Sequence, residues 1–509
     1  MPLLAKVTAA VNRIARQAPA EEIREDSLDT HLYIGNEERR SETGATFERR
    51  GPASDNVVTR SAAASVSDAN AAAESAQEAF VEWSKSGPSQ RRTLLLKAAD
   101  EIEKRGDDFV NAMKLEVGAN ELWARFNVYL AANLFREAAG LATQLQGETI
   151  PTDKPGTLSM TIRQPVGVIL SIVPWNGAVV LAARAIAYPL VCGNTVVFRA
   201  SETSPRTHEL MAQAVQAAGF PAGALNFITN DPKDAPQVIE ALIAHPAVRR
   251  INFTGSTHVG RIIAEKAAKH LKRCILELGD KSPLVVLDDA NVDDAVSAGV
   301  FGAFLYQGQI CMTTERIIVD EKIADEYVAK FAARAKALPA GDPSQGACVL
   351  GPVISKDAAN RLNGLLDDAI GKGATVLSGG KSSGTLMQAT VLDGVTPSMR
   401  IYSEETFGPI VSIIRAKDTD DAVRIANDTE FGLSAGVFGT NISRAIDVAR
   451  RIDTGSVHIN GSTVQNEAQA PYGGTKSSGF GRFDGRAVID EFTELKWLTI
   501  ENSGQGYPF

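Results

Sequence analysis

Apolar positions spaced three and four residues apart recur between residues 68 and 145. Leu95, Ala98 and Ile102 show this spacing within residues 68–115, which are predicted to be helical. A second predicted helical stretch extends from about residue 121 to residue 145. Both precede the first clear strand pattern, so this part of the chain is predicted to be mainly helical.

From residue 166 onward, short apolar or β-branched runs alternate with helical patterns. The predicted strands of this stretch are residues 166–173, 195–198, 224–228 and 249–253. Helical patterns at residues 207–218 and 259–270 separate them. A second alternating stretch has predicted strands at residues 283–287 and 316–319 and predicted helices at residues 293–304 and 324–337. Such alternation predicts an α/β protein with parallel sheets, in which ligands bind beyond the carboxyl ends of the strands.

Size and charge narrow the possible functions. The chain has 509 residues, which suggests two to four domains at about 100–200 residues each. Its 61 acidic and 52 basic residues give a net charge of −9, which argues against non-specific binding of nucleic acid. The apolar run at residues 166–191 is interrupted by Pro174, Asn176, Arg184 and Pro189, so we expect a strand, a loop and a helix there rather than a membrane span.

The cysteines and the N-terminus bear on location. None of the 4 cysteines lies in a CxxC pair or has zinc-site spacing to a histidine. We therefore expect no bound metal and no disulfide framework. The absence of a disulfide framework favours a reducing compartment, the cytoplasm. The first twenty residues carry Lys6, Arg13 and Arg16 and no acidic residue. We favour a frayed helix for this N-terminal segment; a mitochondrial targeting segment is the alternative.

One candidate ligand site is the predicted strand-to-helix turn at residues 253–260. Gly255 and Gly260 allow close backbone approach, and the helix that begins near Ser256 offers free N–H groups to an anion such as a pyrophosphate. The pattern is neither GxGxxG nor a P-loop. By itself it is more typical of an ordinary strand-to-helix turn.

Three further segments carry residue types suited to acyl chemistry. Cys311 follows Gly308 and Gln309 and could be a reactive thiol or a structural cysteine. Glu277 is flanked by leucines; burial there would raise its pKa and make it a better base, although it could also face solvent on an edge strand. Asn176 follows a predicted strand and could donate to an oxyanion or simply form a turn.

Taken in order, these segments resemble the aldehyde dehydrogenase superfamily. The resemblance extends from about residue 31 to the C-terminus. Its motifs are Pro174-Trp175-Asn176, residues 253–257, residues 276–279, residues 308–311, Glu404-Glu405-Thr406-Phe407-Gly408-Pro409 and residues 471–482. Six motifs in the family's order are highly specific.

The resemblance implies a mechanism. Cys311 would attack the aldehyde and form a thiohemiacetal, and the side-chain amide of Asn176 with the backbone N–H of Cys311 would hold the oxyanion. Loss of a hydride to a nicotinamide would leave a thioester, and Glu277 would activate the water that hydrolyses it. These roles agree with the chemistry of a thiolate, a carboxylate base and a preorganised donor.

The resemblance also implies a dinucleotide cofactor. Arg199 and Glu202 match the positions at the adenine ribose, and an acidic side chain there would repel a 2′-phosphate and favour NAD over NADP. Glu405 and Phe407 match the positions at the nicotinamide. The full set of cofactor-binding residues implied by the family is Trp175, Arg199, Ser201, Glu202, Gly255, Ser256, Gly260, Gly279, Glu405 and Phe407.

Two residues depart from the family pattern. Arg199 stands where most relatives have lysine, and the guanidinium differs from an ammonium in geometry, so cofactor affinity could be altered. Asp280 stands where relatives usually have a second glycine. We expect Asp280 to stiffen the loop after Glu277 and to slow hydrolysis of the acyl-enzyme.

Within the superfamily, the segments at residues 94–100, 249–260 and 307–315 are most similar to those of salicylaldehyde, vanillin and benzaldehyde dehydrogenases. Arg184 lies in an apolar helix at a position that lines the substrate tunnel of relatives; we expect it to face a ring hydroxyl, and a structural salt bridge is the alternative. The other implied substrate residues are Leu181, Ile310 and Met312.

Other functions remain open at this point. The substrate could be an aliphatic aldehyde, a semialdehyde or a terpenoid aldehyde. Transfer of the acyl group to CoA is a second possible reaction, which the presence of Glu277 disfavours. A catalytically impaired protein with a binding role is a third possibility, because Arg199 and Asp280 depart from the family pattern.

The family resemblance divides the chain into an N-terminal extension (1–30), a Rossmann-like cofactor domain (31–145 and 163–276), an α/β catalytic domain (277–455) and a small β oligomerisation element (146–162 and 456–509). The last of these elements predicts a homodimer or homotetramer.

Overall fold

The computed structural model describes residues 29–502, 506, 507 and 509. The N-terminal segment, predicted to be a frayed helix with a targeting segment as the alternative, lies outside the described residues. Described strands, numbered along the chain, are β1 (Asp29–Thr30), β2 (Leu32–Ile34), β3 (Glu37–Arg39), β4 (Thr46–Arg50), β5 (Val57–Ala62), β6 (Leu158–Pro165), β7 (Val168–Ile172), β8 (Thr195–Arg199), β9 (Leu225–Ile228), β10 (Val248–Thr254), β11 (Arg273–Glu277), β12 (Pro283–Val286), β13 (Arg316–Asp320), β14 (Thr375–Ser378), β15 (Thr390–Asp393), β16 (Ile410–Ala416), β17 (Ser434–Phe438), β18 (Ser456–Ile459), β19 (Gly479–Phe480) and β20 (Thr493–Ile500).

The α-helices of the described chain separate most of these strands. They are α1 (Val66–Trp83), α2 (Pro88–Lys104), α3 (Gly106–Val117), α4 (Glu121–Leu141), α5 (Ala178–Val191), α6 (Pro205–Ala217), α7 (Ala235–Ala244), α8 (Thr257–Lys269), α9 (Val292–Phe304), α10 (Glu321–Lys336), α11 (Lys356–Gly371), α12 (Arg400–Ser403), α13 (Thr419–Asn427), α14 (Ile442–Arg451) and α15 (Val488–Phe492). Within the described residues, short 3₁₀ segments occur at Pro232–Asp234, Leu305–Gly308 and Lys476–Ser478.

The first α/β unit is an eight-stranded sheet with the order β19-β11-β10-β7-β8-β9-β2-β3. Its five central strands, β11 to β9 in this order, are parallel, as the alternating pattern predicts. The four strands and two helices predicted in this stretch are confirmed to within two residues at each end. Helices α5 and α6 pack on one face of the sheet, and α1 and α7 contribute buried residues to the core on the other.

The second α/β unit is a seven-stranded sheet with the order β14-β15-β16-β13-β12-β17-β18. All of its neighbouring pairs are parallel except β14 with β15. Two buried clusters cover its faces, one formed with α9 and α10 and the other with α11, α13 and α14. The predicted strands and helices after residue 283 are confirmed.

Two smaller sheets complete the described part of the chain. Strands β6 and β20 pair with each other, antiparallel over their whole length, and β1, β5 and β4 form a three-stranded sheet. Thr149 adds an antiparallel bridge to Met160 of β6. Strand pairing differs from the predicted domain boundaries in two places. Strand β18, assigned above to the oligomerisation element, adds to the edge of the seven-stranded sheet, and β19 adds to the eight-stranded sheet, because the free edges of β17 and β11 offer unpaired backbone groups.

No helix within residues 29–502 is long and apolar enough to cross a membrane. The predicted interpretation of residues 166–191 as strand, loop and helix is correct, since β7 and α5 account for most of that run. All four cysteines are free thiols. No cluster of His, Cys, Asp and Glu suited to a metal ion occurs within the described part of the chain.

Candidate active site

Three of the predicted site residues follow parallel neighbouring strands at one edge of the eight-stranded sheet. Glu277 is the last residue of β11, and its strand partner on β10 is Thr254, directly before Gly255. Asn176 follows β7, which pairs with the other side of β10. Because parallel strands end at the same edge, the sheet itself brings these residues together, as the α/β rule predicts.

Cys311 is presented by a strained segment that the sequence pattern did not reveal. In the 3₁₀ segment Leu305–Gly308, Tyr306 has a φ of 50°, Gln307 of 44° and Gly308 of 68°. The side chain of Gln307 holds this conformation by bonding to the backbone of Gly351 and Pro352. Only glycine fits at 308, because a Cβ there would lie 2.3 Å from the carbonyl oxygen of Gly408. Such backbone strain is concentrated at functional sites.

Two cavities meet at Cys311. One is apolar and has a volume of about 950 Å³, and the other lies beside the strand ends and has a volume of about 710 Å³. Asn176, Leu181 and Cys311 line both cavities. The thiol therefore stands at the junction where two ligands entering from different sides would meet.

The apolar cavity contains all four predicted substrate residues: Leu181, Arg184, Ile310 and Met312. Its wall is rich in aromatic side chains that the sequence analysis did not single out: Trp123, Phe126, Phe301, Phe438 and Tyr472. They come from α4, α9, β17 and the loop after β18, so no local motif could have shown that they surround one cavity. Large flat side chains of this kind offer contact area to a planar apolar ligand.

The second cavity has the chemistry of a dinucleotide cleft. Six of the ten predicted cofactor residues line it: Trp175, Gly255, Ser256, Gly279, Glu405 and Phe407. Ser256 caps the N-terminus of α8, accepting from the backbone N–H of Val259 at 3.3 Å, so the helix directs its free N–H groups toward the cleft. The rings of Trp175 and Phe407 meet edge to face with their centroids 5.8 Å apart. Anion-binding N–H groups, a carboxylate and an aromatic wall together fit a nicotinamide dinucleotide.

The other four predicted cofactor residues lie outside the lining of this cleft. Arg199 is buried at the end of β8, where it forms an ion pair with Glu202 at 2.9 Å and donates to Asn230 at 2.8 Å. Ser201 follows in the same turn. Gly260 lies one turn into α8, and a Cβ there would meet Leu278 at 2.4 Å, so this glycine allows the helix to pack on the loop after β11. Cofactor contacts of these four residues stay predictions.

A buried network that the sequence analysis missed supports Glu405 and Phe407. Phe407 has a φ of 45°, and Glu315 accepts hydrogen bonds from the backbone N–H groups of Phe407 at 2.8 Å and of Thr406 at 2.7 Å. Lys281 is fully buried and pairs with Glu315 at 2.6 Å. Since Lys281 lies four residues after Glu277, the base loop and the predicted nicotinamide-binding segment form one connected unit.

Glu405 is itself strongly perturbed. Burial, with a smaller contribution from Glu315, raises the pKa of Glu405 to about 8. Its carboxylate accepts from the backbone N–H of Asp280 at 3.1 Å, and a Cβ at Gly279 would come within 2.9 Å of it. Gly279 is therefore required for the carboxylate to approach the base loop.

The nucleophile and the base are linked by Tyr472. The Tyr472 hydroxyl lies 3.1 Å from the sulfur of Cys311 and 3.4 Å from Oε1 of Glu277. Burial and the nearby Glu277 carboxylate raise the pKa of the Cys311 thiol, whereas the bond to Tyr472 lowers it. Burial likewise raises the pKa of Glu277, which favours a role as a proton acceptor near neutral pH. The second oxygen of Glu277 is buried with no hydrogen-bond partner in the described chain, so it remains free to take a proton.

Arg184 makes the salt bridge that the sequence analysis left as its alternative role. Its Nε and Nη2 donate to the two carboxylate oxygens of Asp484 at 3.0 and 2.8 Å, and both side chains are buried. The guanidinium also lies 4.4 Å from the ring centre of Tyr472, in a cation–π contact. Direct contact of Arg184 with a substrate hydroxyl stays a prediction.

Comparison with known proteins identifies the family to which a site of this kind belongs. Residues 39–498 match the Aldehyde dehydrogenase family. The chain belongs to the aldehyde dehydrogenase family. It is therefore an NAD(P)-dependent oxidoreductase that acts on aldehydes, and the predicted aldehyde dehydrogenase fold is confirmed.

Individual relatives cover nearly the whole chain. A salicylaldehyde dehydrogenase of Pseudomonas sp. (strain C18) is 64% identical over 95% of this aldehyde dehydrogenase and 100% of its own length. A vanillin dehydrogenase of Pseudomonas fluorescens is 52% identical over 94% of this chain and 100% of its own.

Solved structures agree with these sequences. The crystal structure of a salicylaldehyde dehydrogenase from Pseudomonas putida G7 complexed with salicylaldehyde is 62% identical, with a TM-score of 0.94 over 95% of this chain and 100% of that one. A betaine aldehyde dehydrogenase from Staphylococcus aureus in complex with NAD+ is 31% identical, with a TM-score of 0.90 over 94% of this chain and 96% of that one.

Proposed function

We propose that this enzyme oxidises an aromatic aldehyde of the salicylaldehyde, vanillin or benzaldehyde type to its carboxylic acid, with NAD as the cofactor. The observation that carries the substrate class is the apolar, aromatic-walled cavity that ends at the sulfur of Cys311. A planar ring fills such a cavity and keeps its formyl carbon beside the thiol. The names of the relatives with 64% and 52% identity support the same class.

The residues around Cys311 account for the steps at the carbonyl carbon. The thiolate attacks this carbon, and the Asn176 side chain, with the backbone N–H of Cys311, stabilises the negative oxygen of the thiohemiacetal. A nicotinamide bound in the cleft that Trp175, Glu405 and Phe407 line would supply the hydride acceptor for oxidation to the thioester. Glu277 then takes a proton from water, which attacks the thioester and releases the acid.

The preference for NAD rests on Glu202. Its carboxylate lies beside Arg199 at the end of β8, where the family binds the adenine ribose. A carboxylate accepts hydrogen bonds from ribose hydroxyls and repels a 2′-phosphate. The guanidinium of Arg199 would by itself attract the 2′-phosphate of NADP. It is already paired with Glu202 and donates to Asn230, which limits its availability to a phosphate.

A substrate screen tests the proposed function. NADH release is measured with salicylaldehyde, vanillin, benzaldehyde, an aliphatic aldehyde and succinic semialdehyde, each with NAD and with NADP. We expect kcat/KM to be about a hundredfold higher for the aromatic aldehydes, because the cavity buries a whole ring, and higher with NAD. The Cys311→Ala variant should release no NADH with any of them. A preference for the aliphatic aldehyde or the semialdehyde would contradict the substrate class.

We further propose a homo-oligomer assembled through the ribbon of β6 and β20. Leu495 and Trp497 on this ribbon are 58% and 69% exposed, and a two-stranded ribbon is rarely stable alone.

Free thiols at all four cysteines fit the cytoplasmic location that we propose.

A further inference from the structure

A tyrosine to which the sequence analysis gave no role lies between the nucleophile and the base. Tyr472 is buried, and its hydroxyl is within hydrogen-bonding distance of both the sulfur of Cys311 and Oε1 of Glu277. A tyrosine hydroxyl has one hydrogen to donate. While it donates to the Glu277 carboxylate, it can only accept from the thiol of Cys311. This orientation forms a continuous path from the thiol hydrogen to the carboxylate.

The position of the Tyr472 ring is fixed from two sides. Its backbone N–H donates to the carbonyl oxygen of Phe483 at 2.7 Å, and the backbone N–H of Phe483 donates back at 2.6 Å. The Arg184 guanidinium covers the ring at 4.4 Å and is locked by its bidentate pair with Asp484. The hydroxyl is therefore preorganised rather than free to swing away from the sulfur.

We propose that Tyr472 is a further catalytic residue, which passes the thiol proton of Cys311 to Glu277 and then stabilises the thiolate as a hydrogen-bond donor. In this step the S–H bond of Cys311 breaks and its proton moves to the Tyr472 oxygen. The phenolic proton moves to Oε1 of Glu277, which releases it to solvent before it activates the hydrolytic water. Both electrons of the S–H bond stay on sulfur, nothing is oxidised or reduced, and Tyr472 ends neutral with its hydroxyl donating to the thiolate.

Two charged groups, Arg184 and Asp280, act on this path. Arg184 faces Tyr472 and Cys311 from α5 and stabilises negative charge on either group, with Asp484 behind it on the far side of the ion pair. At Glu277, Arg184 favours the ionised carboxylate and Asp280 favours the protonated form. A hydrogen bond that a hydroxyl donates to a thiolate is charge-assisted and is stronger than one between neutral groups. Loss of the Tyr472 hydroxyl should therefore raise the pKa of the Cys311 thiol measurably.

The test is the pH dependence of Cys311 alkylation in the free enzyme, without cofactor or aldehyde. The rate of inactivation by iodoacetamide reports the thiolate fraction. Tyr472→Phe keeps the ring over Arg184 and removes only the hydroxyl. We expect its midpoint to move about one pH unit higher and its alkylation at neutral pH to be about tenfold slower, while the limiting rates at high pH agree within about twofold.

Two comparisons make the result specific. Tyr188→Phe makes the same change at a buried tyrosine of α5, whose hydroxyl donates to the carbonyl oxygen of Ala468 rather than to Cys311, and it should leave the midpoint unchanged. The thiolate absorbance of each variant is also titrated, and the signal of the same variant carrying Cys311→Ala is subtracted, which gives an independent midpoint for Cys311. Thermal melting checks that each variant is folded. An unchanged or lower midpoint for folded Tyr472→Phe overturns the proposal. Because no aldehyde is present, this outcome is independent of the substrate class proposed above.

Discussion

At the scale of single residues, the site depends on carboxyl groups with unusual surroundings. Glu277 is buried and Glu405 is partly buried, and both line the dinucleotide cleft, but only Glu277 is linked to Cys311, through Tyr472. Burial raises the pKa of each. Glu405, with a pKa of about 8, is therefore expected to titrate within the range of an ordinary activity assay.

Glu405 predicts a pH-dependent affinity for the cofactor. With a pKa of about 8, it is mostly protonated at pH 7 and mostly ionised at pH 9. Only the ionised form accepts two hydrogen bonds from ribose hydroxyls, so KM for NAD should fall about tenfold between about pH 7 and pH 9. The measurement is a series of NAD titrations across this range at saturating aldehyde.

The Glu405→Gln variant is the control for this prediction. Its side chain cannot ionise. This variant should therefore have a high KM for NAD that does not change with pH over the same interval. An equal pH dependence in this variant and in the unchanged enzyme would show that another group titrates.

At the scale of structural elements, the loop between β11 and β12 connects the two sheets. Asp280, whose side chain is buried, accepts from the backbone N–H groups of Leu433 and Ser434, each at 3.1 Å, and from the hydroxyl of Ser282. Ser478 donates to the carbonyl oxygen of Gly279 at 2.6 Å. The carboxylate that replaces the family's usual glycine thus fastens the loop behind Glu277 to the seven-stranded sheet.

We expect Asp280→Gly to loosen this loop. The variant should lose about 2–3 kcal/mol of stability, because the N–H groups of Leu433 and Ser434 are left unpaired. Hydrolysis of the acyl-enzyme should become faster, since Glu277 gains freedom to reach water. Urea denaturation measures the first effect, and the ratio of the NADH burst to steady-state turnover measures the second.

Asp280→Asn separates the charge from the hydrogen bonds. It keeps one acceptor oxygen and removes the negative charge near Glu277, so it should retain more stability than Asp280→Gly. If Asp280→Gly changes neither turnover nor the burst, the loop does not limit hydrolysis.

At the scale of the whole molecule, the ribbon of β6 and β20 is the part that the two large sheets do not stabilise. Its exposed apolar side chains occur on both faces, with Leu495 and Trp497 on one face and Ile500 on the other. At its base, the half-exposed Glu494 pairs with the buried Arg250 at 2.5 Å, and Arg163 donates to the hydroxyl of Thr493 at 3.0 Å. Such a ribbon gains most of its stability from a second copy of the chain.

Replacing both Leu495 and Trp497 with lysine should dissociate the proposed oligomer. Tryptophan and leucine in the centre of an interface contribute strongly, so the dissociation constant should rise about a hundredfold. Light scattering after size exclusion over a range of concentrations measures this change. Lys496→Gln, on the opposite face of the same strand, is the control and should keep the assembly. A monomeric unchanged protein would contradict the proposed assembly itself.

The sequence by itself determined the α/β class, the strands and helices of both sheets, the family and the positions of Cys311, Glu277 and Asn176. These features depend on local periodicity and on motifs in a fixed order, which are properties of the chain as written. The strands after residue 166 were predictable because buried parallel strands need continuous apolar runs, whatever their order in the sheet.

Only the tertiary structure decided which side chains meet. Tyr472 is 161 residues from Cys311, Asp484 is 300 residues from Arg184, and Glu315 is 34 residues from Lys281. Each pair was invisible to periodicity because side-chain contacts across a site depend on how separate loops pack, not on local spacing. The same reason explains why β18 and β19 joined the large sheets: a free strand edge accepts any segment that packing brings alongside it.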